Sequence, residues 1–589
     1  MSCVDVAICG GGLGGLAVAL GLRHRGIDAH VYEAAPELRT ATSTVIGLGS
    51  NAFTALEACD PRILPALLPK GVKVAKLERS IRLSASAAPE VTALPATLAS
   101  YIFRWAAVQN VLASLLPLEA VHCGQRVTGF TDTREQAGQL GRITLHFKGG
   151  CDVQARLVVA ADGLRSALRA AMLPQDPGPR YLGHMNWNAL LYNPEGSKVA
   201  AHGPGEVRTC LDAAPAADTP WTLMTMLIDA GGGYTFWQAR YLSPTPAFTS
   251  PPTQANSSSS AAPHPAGEGA GTGGISPAGG SVEAGGAEAV GGGEVRGSGG
   301  PATDQASSAP LPGEREDMPQ LVGGGLGVPG SKARVLKLLE EAGYEDVARV
   351  VQATPEADIF ERAMLDRIPL DELGAGLTAA GGRLLLLGDA AHAMHSGPGQ
   401  GGRMAFEDAH QLVEAVQRHS HRLHGWSHLA ADGSAPPPPG PSPSAADEDT
   451  PLPTLRDLSL AAAAAASVEQ GSEAGGNQPG SISGEGDGGA AGGDAAATDA
   501  VAVADVAREY EAARLVRVCR VAKAAAEGCG LQALRAHYRP ASCGAQQRMA
   551  RAMEMGKWLD KYPDCPDGDE ATEWWKPPAR PSAVGSSSA

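Results

Sequence analysis

No stretch of the 589-residue chain offers the ~18–20 uninterrupted apolar residues that a membrane-spanning helix requires, so no membrane span is expected. Positive charge is also scarce. With 47 Lys and Arg against 63 Asp and Glu, the formal net charge is −16, and there is no excess of cations to displace counterions from a phosphate backbone. Neither DNA nor RNA is expected as a partner. The ten cysteines, spread from Cys3 to Cys565, contain no CxxC pair, which argues against a zinc site or a disulfide framework and for reduced thiols inside a cell. Cys529, His537 and Cys543 match no standard ligand spacing, so no metal is expected. Two tracts lack bulky side chains almost entirely: 245–330 and about 429–500 are Ser, Pro, Gly and Ala. They cannot bury enough apolar area to offset chain entropy, and both are expected to be disordered insertions.

What remains has clear organisation. Residues 4–33 read as one β-α-β unit: the strand "VDVAIC", the turn "GGGLGG", a helix with Leu16 and Leu20 at helical spacing, and the strand "AHVYE". The apolar segment starts close to the first methionine and runs straight into the glycines. No signal or transit peptide is therefore expected, and the cytoplasm is the expected compartment. Between Asn51 and Leu116 the pattern is mostly helical, and "ARLVVAADG" at 155–163 is a buried strand ending on a turn. From Tyr181 to Tyr241, stretches such as "WTLMTMLI" and "YTFWQARY" predict an antiparallel sheet, the usual lid or floor of a substrate cavity. Helical periodicity returns in "KARVLKLLEEAG", and strand, loop and helix follow at 381–416. A well-patterned helix is predicted at 503–528.

The fold class expected is therefore α/β: a Rossmann-like nucleotide-binding domain with an inserted antiparallel-sheet substrate domain, a C-terminal helix and two disordered insertions. The expected boundaries are 1–180 for the first part of the nucleotide-binding domain, 181–244 for the sheet, and 245–330 for the first insertion. The remainder of the substrate domain spans 331–365 and the second nucleotide-binding part 366–428. A disordered linker at 429–500, a helical segment at 501–564 and a tail at 565–589 complete the chain.

Three motifs carry the chemistry. Gly10, Gly12 and Gly15 make a GxGxxG between strand and helix, where a pyrophosphate can approach the helix N-terminus. Glu33, at the end of the next strand, can accept hydrogen bonds from ribose hydroxyls. Gly325, Gly327 and Gly330 spell the same pattern, but no strand precedes them and Pro329 interrupts the helix start, so that copy is discounted. The second motif is Asp162-Gly163 after the strand "RLVVA", followed by Ser166 and Arg169. The third is Gly388-Asp389, directly after "RLLLL": a carboxylate at the carboxyl end of a sheet strand sits where ligands of open α/β sheets bind, and it suits a polyol such as ribityl. Beyond it, "GPGQGG" at 397–402 opens a helix near Arg403, gathering backbone N–H groups and a positive helix end that favour negative charge, such as that of a reduced flavin.

These segments resemble the dinucleotide fingerprint, the DG motif and the GD motif of class A flavoprotein monooxygenases, the para-hydroxybenzoate hydroxylase family. "GDAAHAM" followed by "GQGGRMAFEDAHQL" is especially similar to its zeaxanthin-epoxidase-like and plant monooxygenase branch. "GLGSNAFTAL" at 47–56, "DRIPL" at 366–370 and "YEAARLVR" at 510–517 are similar too, so the resemblance covers most of the chain outside the two low-complexity tracts. It implies that Gly10, Gly12, Leu13, Gly14, Gly15, Glu33, Ala34 and Val127 hold the ADP half of a tightly bound FAD. It places Asp389, with Gly388, on the ribityl chain and Gly399, Gln400, Gly401 and Gly402 at the flavin ring. Asp162 and Gly163 would serve both FAD and a transient nicotinamide. The implied reaction uses NADPH or NADH and dioxygen, by way of a flavin hydroperoxide, to hydroxylate or epoxidise a small hydrophobic or aromatic substrate.

The sequence departs from the family pattern at three places. Arg104 falls about one residue before the arginine that usually touches the flavin side, with Trp105 in its place. Ser396 stands where the family has proline before GQG, and Trp187-Asn188 replaces a tryptophan-arginine pair. No catalytic base is assigned: His392 reads better as a residue that satisfies its loop. Trp187, Trp221, Phe236 and Trp237 either line an aromatic pocket or form core, and their alternating spacing favours core, as the buried strand does for Cys9. Two other functions stay open: a flavin dehydrogenase or reductase of the same fold, and a non-enzymatic flavin-fold binding protein.

Overall fold

The computed structural model describes residues 2–38, 44–82, 89–94, 101–133, 141–193, 203–212, 222–244, 246, 325–423, 426, 491–538 and 554–563. Residues Val4–Cys9 are buried throughout, as expected for a strand covered on both faces. The strand Ser2–Cys9 pairs in parallel with Ala29–Tyr32 on one side and Asp152–Ala160 on the other. Leu384–Leu386 joins Asp152–Ala160 in parallel, so the sheet runs Thr378–Ala379, Leu384–Leu386, Asp152–Ala160, Ser2–Cys9, Ala29–Tyr32, Val121–His122. Arg142–Phe147 and Val127–Thr133 extend it antiparallel from the early half of Asp152–Ala160.

Helix Leu13–His24 is buried along most of its length and packs on helix Gly401–His419. The two approach closely at Gly14 and Gly21: a β-carbon added there would meet Ala405 Cβ at 3.1 Å and Val413 Cγ2 at 2.7 Å. Ile8, Leu16, Leu20, Val158, Leu385, Leu412 and Tyr510 share one core, which ties the start of the chain to its late third.

The second sheet has eight strands, ordered Gly325–Leu326, Phe360–Asp366, Arg180–Tyr192, Tyr234–Leu242, Leu223–Asp229, Glu206–Asp212, Lys76–Arg82, Glu90–Leu94. All pairings are antiparallel except that of Glu206–Asp212 with Lys76–Arg82. One face packs on helices Ser331–Glu341 and Glu345–Ala353, where buried Trp237 donates Nε1–H to Thr354 Oγ1 at 2.9 Å.

Three expectations need correction. The stretch 51–116, read as mostly helical, holds helices Ser50–Cys59, Ile63–Leu67 and Trp105–Ser114 but also the strands Lys76–Arg82, Glu90–Leu94 and Tyr101–Arg104. In "KLERSIR" the alternation of Leu77, Arg79 and Ile81 is a strand pattern whose partner lies 130 residues on, at 206–212. The first low-complexity tract ends earlier than expected, because Gly325–Leu326 pairs with Phe360–Glu361 and Gly330 caps the next helix. The late helix begins at Ala491 rather than 503, so its alanine-rich start extends into the second tract. There, Asp499 accepts a hydrogen bond from Trp426 Nε1 at 3.0 Å. The central parts of both tracts, Trp221, Cys543 and the tail from 564 lie outside the described residues.

Candidate active site

Three strand ends meet. Cys9 is level with Ala160, and Ala160 with Leu386, so Gly10, Asp162 and Asp389 leave the carboxyl edges of three adjacent parallel strands. The N–H of Ala161 donates to Cys9 O at 2.9 Å and that of Leu387 to Ala160 O at 3.0 Å, carrying the ladder up to the loops. This is the crevice where open α/β sheets bind ligands.

At the first loop, Gly10 takes φ 113°, and an added β-carbon would collide with Ala161 O. Gly15 lies so close to Gly10 O that it admits no side chain either. Gly12, by contrast, faces open space: nothing lies within 4 Å of the position its β-carbon would take. It caps helix Leu13–His24 without a side-chain hydrogen bond, leaving the first N–H groups aimed at that space. Glu33 accepts from the N–H of Gly11 at 2.7 Å and of Ala35 at 2.8 Å, so it braces the glycine turn as well as bordering it. Ala34 follows directly, and Val127 begins a strand on the far side of the 122–126 connection, whose Gln125 N–H donates to Glu33 O at 2.7 Å.

At the second loop, Asp162 Oδ2 accepts from the N–H of Ala167 at 2.8 Å and of Leu168 at 3.3 Å, while Oδ1 is buried without a partner. Burial raises this carboxyl above its ordinary range, opposed by hydrogen bonds from Ser166 and from the backbone of Leu168 and Ala167. Gly163 follows at φ 80° with open space before it. Fully buried Arg169 fastens this loop to the third: Nη1 donates to Ala391 O at 2.6 Å and Ala390 O at 3.1 Å, Nη2 to Ile368 O at 2.9 Å, and Nε to Asp176 at 2.5 Å. The sequence motif contains this arginine without revealing its clamping role.

At the third loop, Gly388 turns the chain at φ 59° and Asp389 opens a helical turn. The Asp389 side chain is open to solvent, yet burial raises its carboxyl against the pull of His392 and Arg362. Both hold for a group at the bottom of a cleft. Gly399, Gln400, Gly401 and Gly402 then lead into helix Gly401–His419, which lacks a side-chain cap. Gly399 faces open space, and the β-carbon position of Gly401 lies 3.9 Å from Asp389 Oδ1. A β-carbon added at Gly402 would meet Ile46 Cδ1 at 2.5 Å, and Arg403 Nε donates to Gly47 O at 2.8 Å, so 45–49 forms a wall of this loop. His392 pairs through Nε2 with Asp408 at 2.6 Å in a buried network rather than with backbone groups of its loop, and its Nδ1 is buried without a partner.

Arg104, at the end of strand Tyr101–Arg104, lies over the Tyr234 ring with 4.6 Å to the centroid, and its buried Nε has no partner. It stands at the junction with the second sheet rather than at the glycine turn.

The residues suit an FAD. An open space lies before an uncapped helix, a buried carboxylate oxygen in the second loop lacks a donor, and a carboxylate faces the cleft beside a second uncapped helix. The FAD binding domain family matches residues 3–218 of the chain. Over 428 residues the chain is 24% identical to the aurachin C monooxygenase/isomerase of Stigmatella aurantiaca, covering 70% of this chain and 80% of that protein. Residues 3–218 thus match an FAD-binding family, and the chain is similar to proteins named as monooxygenases. The chloroplastic zeaxanthin epoxidase of Nicotiana plumbaginifolia is 25% identical to the chain over 423 residues, 70% of this chain and 48% of that one. The 3-amino-4-hydroxybenzoate 2-monooxygenase of Streptomyces cremeus is 32% identical over 192 residues, 31% and 44% of the two chains. The chain thus spans most of the first relative and under half of the other two.

Sequence reasoning missed the sheet side of the cleft. Arg240, Arg362, His184, His395 and Ser396 approach it from the second sheet and the loop after Asp389: Arg240 Nη2 donates to Ser396 Oγ at 2.7 Å, and the His184 and His395 rings lie 5.7 Å apart. Arg362 acts electrostatically on Asp389. The available signal was the alternation in "YTFWQARY", which puts Gln238 and Arg240 on one face and Trp237 and Ala239 on the other. Trp187 and Trp237 are core on the helix-covered face, and Phe236 is buried on the opposite one. Among the described residues no helix is long and apolar enough to cross a membrane.

Proposed function

We propose that the chain is an FAD-dependent monooxygenase that uses NADPH or NADH and dioxygen to hydroxylate or epoxidise a small aromatic or hydrophobic substrate. The observation that carries the reading is the convergence of Gly10, Asp162 and Asp389 on one sheet edge, with the antiparallel sheet reaching the same cleft through Arg240 and Arg362.

In this reading Gly10, Gly12, Leu13, Gly14 and Gly15 give the pyrophosphate a close backbone approach and the positive end of helix Leu13–His24. Glu33, with Ala34 and Val127 beside it, borders the adenosine. Asp389 accepts hydrogen bonds from the ribityl hydroxyls, and Gly388 permits the turn that brings it there. Gly399, Gln400, Gly401 and Gly402 present N–H groups to the ring, while Asp162 and Gly163 contact both the cofactor and the visiting nicotinamide. Arg104 closes the cleft at the sheet junction. FAD, when bound, supplies the electron transfer and oxygen activation. The polypeptide supplies placement: it orients the substrate between the 388–402 loops and the sheet and keeps bulk water out. The eight described cysteines, none in a disulfide, support a reducing compartment such as the cytoplasm.

The test is purification followed by an absorbance spectrum and NADPH oxidation under oxygen with candidate phenols and polyenes. The reading expects bound yellow cofactor and NADPH oxidation that depends on oxygen. Turnover indifferent to oxygen, with another electron acceptor, would establish a dehydrogenase instead, and protein that takes up no flavin would establish a binding role. For the site, Asp389→Ala is expected to lose FAD while its circular dichroism stays that of the parent; full flavin occupancy in that variant refutes the assignment.

A further inference from the structure

The face of the antiparallel sheet that looks onto Asp389 holds more positive charge than its surroundings neutralise. Asn186 pairs with Arg240 on one neighbouring strand and with Arg362 on the other, so the three form one row and share a face. The arginine Cα atoms are then about 9–10 Å apart, two strand spacings, and long side chains can converge over Asn186. Arg240 is 3% exposed, and the Arg362 Nε is buried without a partner.

The hydrogen-bond partners of Arg240 are neutral: Nε donates to Asn186 Oδ1 at 3.4 Å and Nη2 to Ser396 Oγ at 2.7 Å. Neither arginine forms an ion pair within hydrogen-bonding reach among the described residues. Burial, with Arg362 adding to it, brings the Arg240 guanidinium down to about 9. Asp389 is the carboxylate that acts on Arg362, and it offsets one of the two charges. The nearby rings of His184 and His395 add none, since burial first and Arg240 among the other causes hold them neutral. An uncompensated buried guanidinium is costly, and its ordinary justification is a ligand that completes it.

The rest of the face fits a small organic molecule. Met224 and Met226 stand opposite Arg240 and Gln238 on the next strand, and Phe236 lies two residues along, so an apolar surface adjoins the cationic row. Asn186 Nδ2 donates to Asn188 Oδ1 at 2.8 Å, and Gln238 donates to Asn186 Oδ1, which fixes the amides between the two arginines.

We propose that Arg240 and Arg362 form an anion subsite, and that the substrate is a small molecule with an apolar body and one ionised oxygen group, a carboxylate or an acidic phenol or enol, turned towards the sheet. The inference rests on the monooxygenase reading for the word substrate, while the subsite stands on the arginines alone. A guanidinium suits this task because its fork of donors matches a carboxylate in two parallel hydrogen bonds.

The experiment is titration calorimetry of the purified protein with benzoate and salicylate and with their uncharged amides, benzamide and salicylamide, with flavin content and NADPH-dependent oxygen uptake recorded on the same samples. The acids are expected to bind at least tenfold more tightly than the amides. Arg240→Met and Arg362→Met are each expected to abolish that preference while leaving amide binding and circular dichroism unchanged. Arg240→Lys, which keeps the charge and loses the fork, is expected to retain part of it and provides the reading if a Met variant does not fold. Equal binding of acid and amide, absence of saturable binding by either acid, or a preference that survives both Met substitutions overturns the subsite. So does loss of FAD from the variants with the acid preference intact, since the arginines would then belong to the cofactor. A colourless parent protein that still prefers the acids refutes the monooxygenase reading and upholds the subsite. A yellow, oxygen-consuming protein without the preference refutes the subsite alone.

Discussion

Two polar regions adjoin the start of helix Gly401–His419, and they are built on opposite plans. Behind the helix start, Glu407 pairs with Arg514 at 2.7 Å and Arg517 at 2.6 Å, and Asp408 pairs with Arg514 at 2.7 Å and His392 at 2.6 Å. Asn51 Nδ2 adds a hydrogen bond to Glu407 at 2.7 Å. Burial would push both carboxyls up, but these cations outweigh it: Glu407 is held below its usual range and Asp408 at about 2. In front of the helix, burial instead prevails at Asp389 and Asp162, whose carboxyls are raised, and Arg240 has only neutral partners. Matched charges hold elements together; unmatched ones at a cleft await a ligand.

The sharpest way to break this comparison is to unmatch the first region. Arg514→Met leaves Glu407 and Asp408 short of a shared cation, and the expected loss is about 3–5 kcal/mol of stability, measured by denaturant unfolding. The sign with pH follows from Asp408. Its folded value, about 2, lies below the ordinary 3.8, so its contribution is complete above about pH 4 and is lost as pH falls through 2. The variant is expected to lose the share of the parent's pH dependence that Asp408 supplies in that window. A variant as stable as the parent would show that the network is not what joins the two ends of the chain.

The glycine turn permits the same contrast at smaller scale. Gly15→Ala forces a β-carbon against Gly10 O, with Ile8 Cγ2 at 3.3 Å, and is expected to cost about 1–3 kcal/mol. Gly12→Ala meets nothing within 4 Å and is expected to unfold at the parent's denaturant midpoint yet take up FAD far more weakly. Equal flavin affinity in Gly12→Ala and the parent, by fluorescence titration, would remove the pyrophosphate from that space.

How much of this was legible in the sequence follows from range. The glycine turn, Asp162 and Asp389 each end an apolar strand, and such runs declare themselves within ten residues. The pairing that gathers them was implied by parallel-strand patterning and by the family resemblance. The strand Lys76–Arg82 was missed because its partner lies at 206–212, and a seven-residue segment with four charges looks like a solvated helix until that partner is known. The arginine row was missed for a related reason: Arg240 and Arg362 are 122 positions apart, and only Asn186, paired with both, places them side by side. Charge matching is likewise invisible along the chain, since neither Glu407-Asp408 nor Asp389 shows its partner until Arg514 and Arg362 are placed.

Asp389→Asn tests the unmatched side more gently than truncation. Removing the charge from a carboxyl that accepts polyol hydrogen bonds is expected to cost about 1.5–3 kcal/mol of FAD binding, roughly 10- to 100-fold in affinity. The apo protein, in which this carboxyl has no hydrogen-bond partner among the described residues, should unfold at nearly the parent's midpoint. A large stability loss with unchanged flavin affinity would move Asp389 into the structural class.

The last contrast runs through the two histidines of the cleft. Burial first, then neighbouring His395 and Arg240, bring His184 down to about 2; burial, then Arg240, brings His395 to about 3. The geometry agrees for His395: its Nδ1 accepts from the Gly397 N–H at 3.0 Å, so the ring is neutral with its proton on Nε2. Because both folded values lie below the ordinary 6.5, the unfolded chain binds more protons than the folded one beneath that pH. Stability therefore rises as pH increases towards 6.5 and falls below it, by up to about 1.4 kcal/mol per pH unit for each histidine. The network of Glu407 and Asp408 predicts no change between pH 5 and 6.5, so the two regions separate cleanly on this axis. His395→Phe is expected to flatten the slope by about half, read from unfolding midpoints across pH 5–7. A parent protein whose stability is level over that range would show that these rings are protonated in the folded state, and that the cleft is wetter and better matched in charge than its packing indicates.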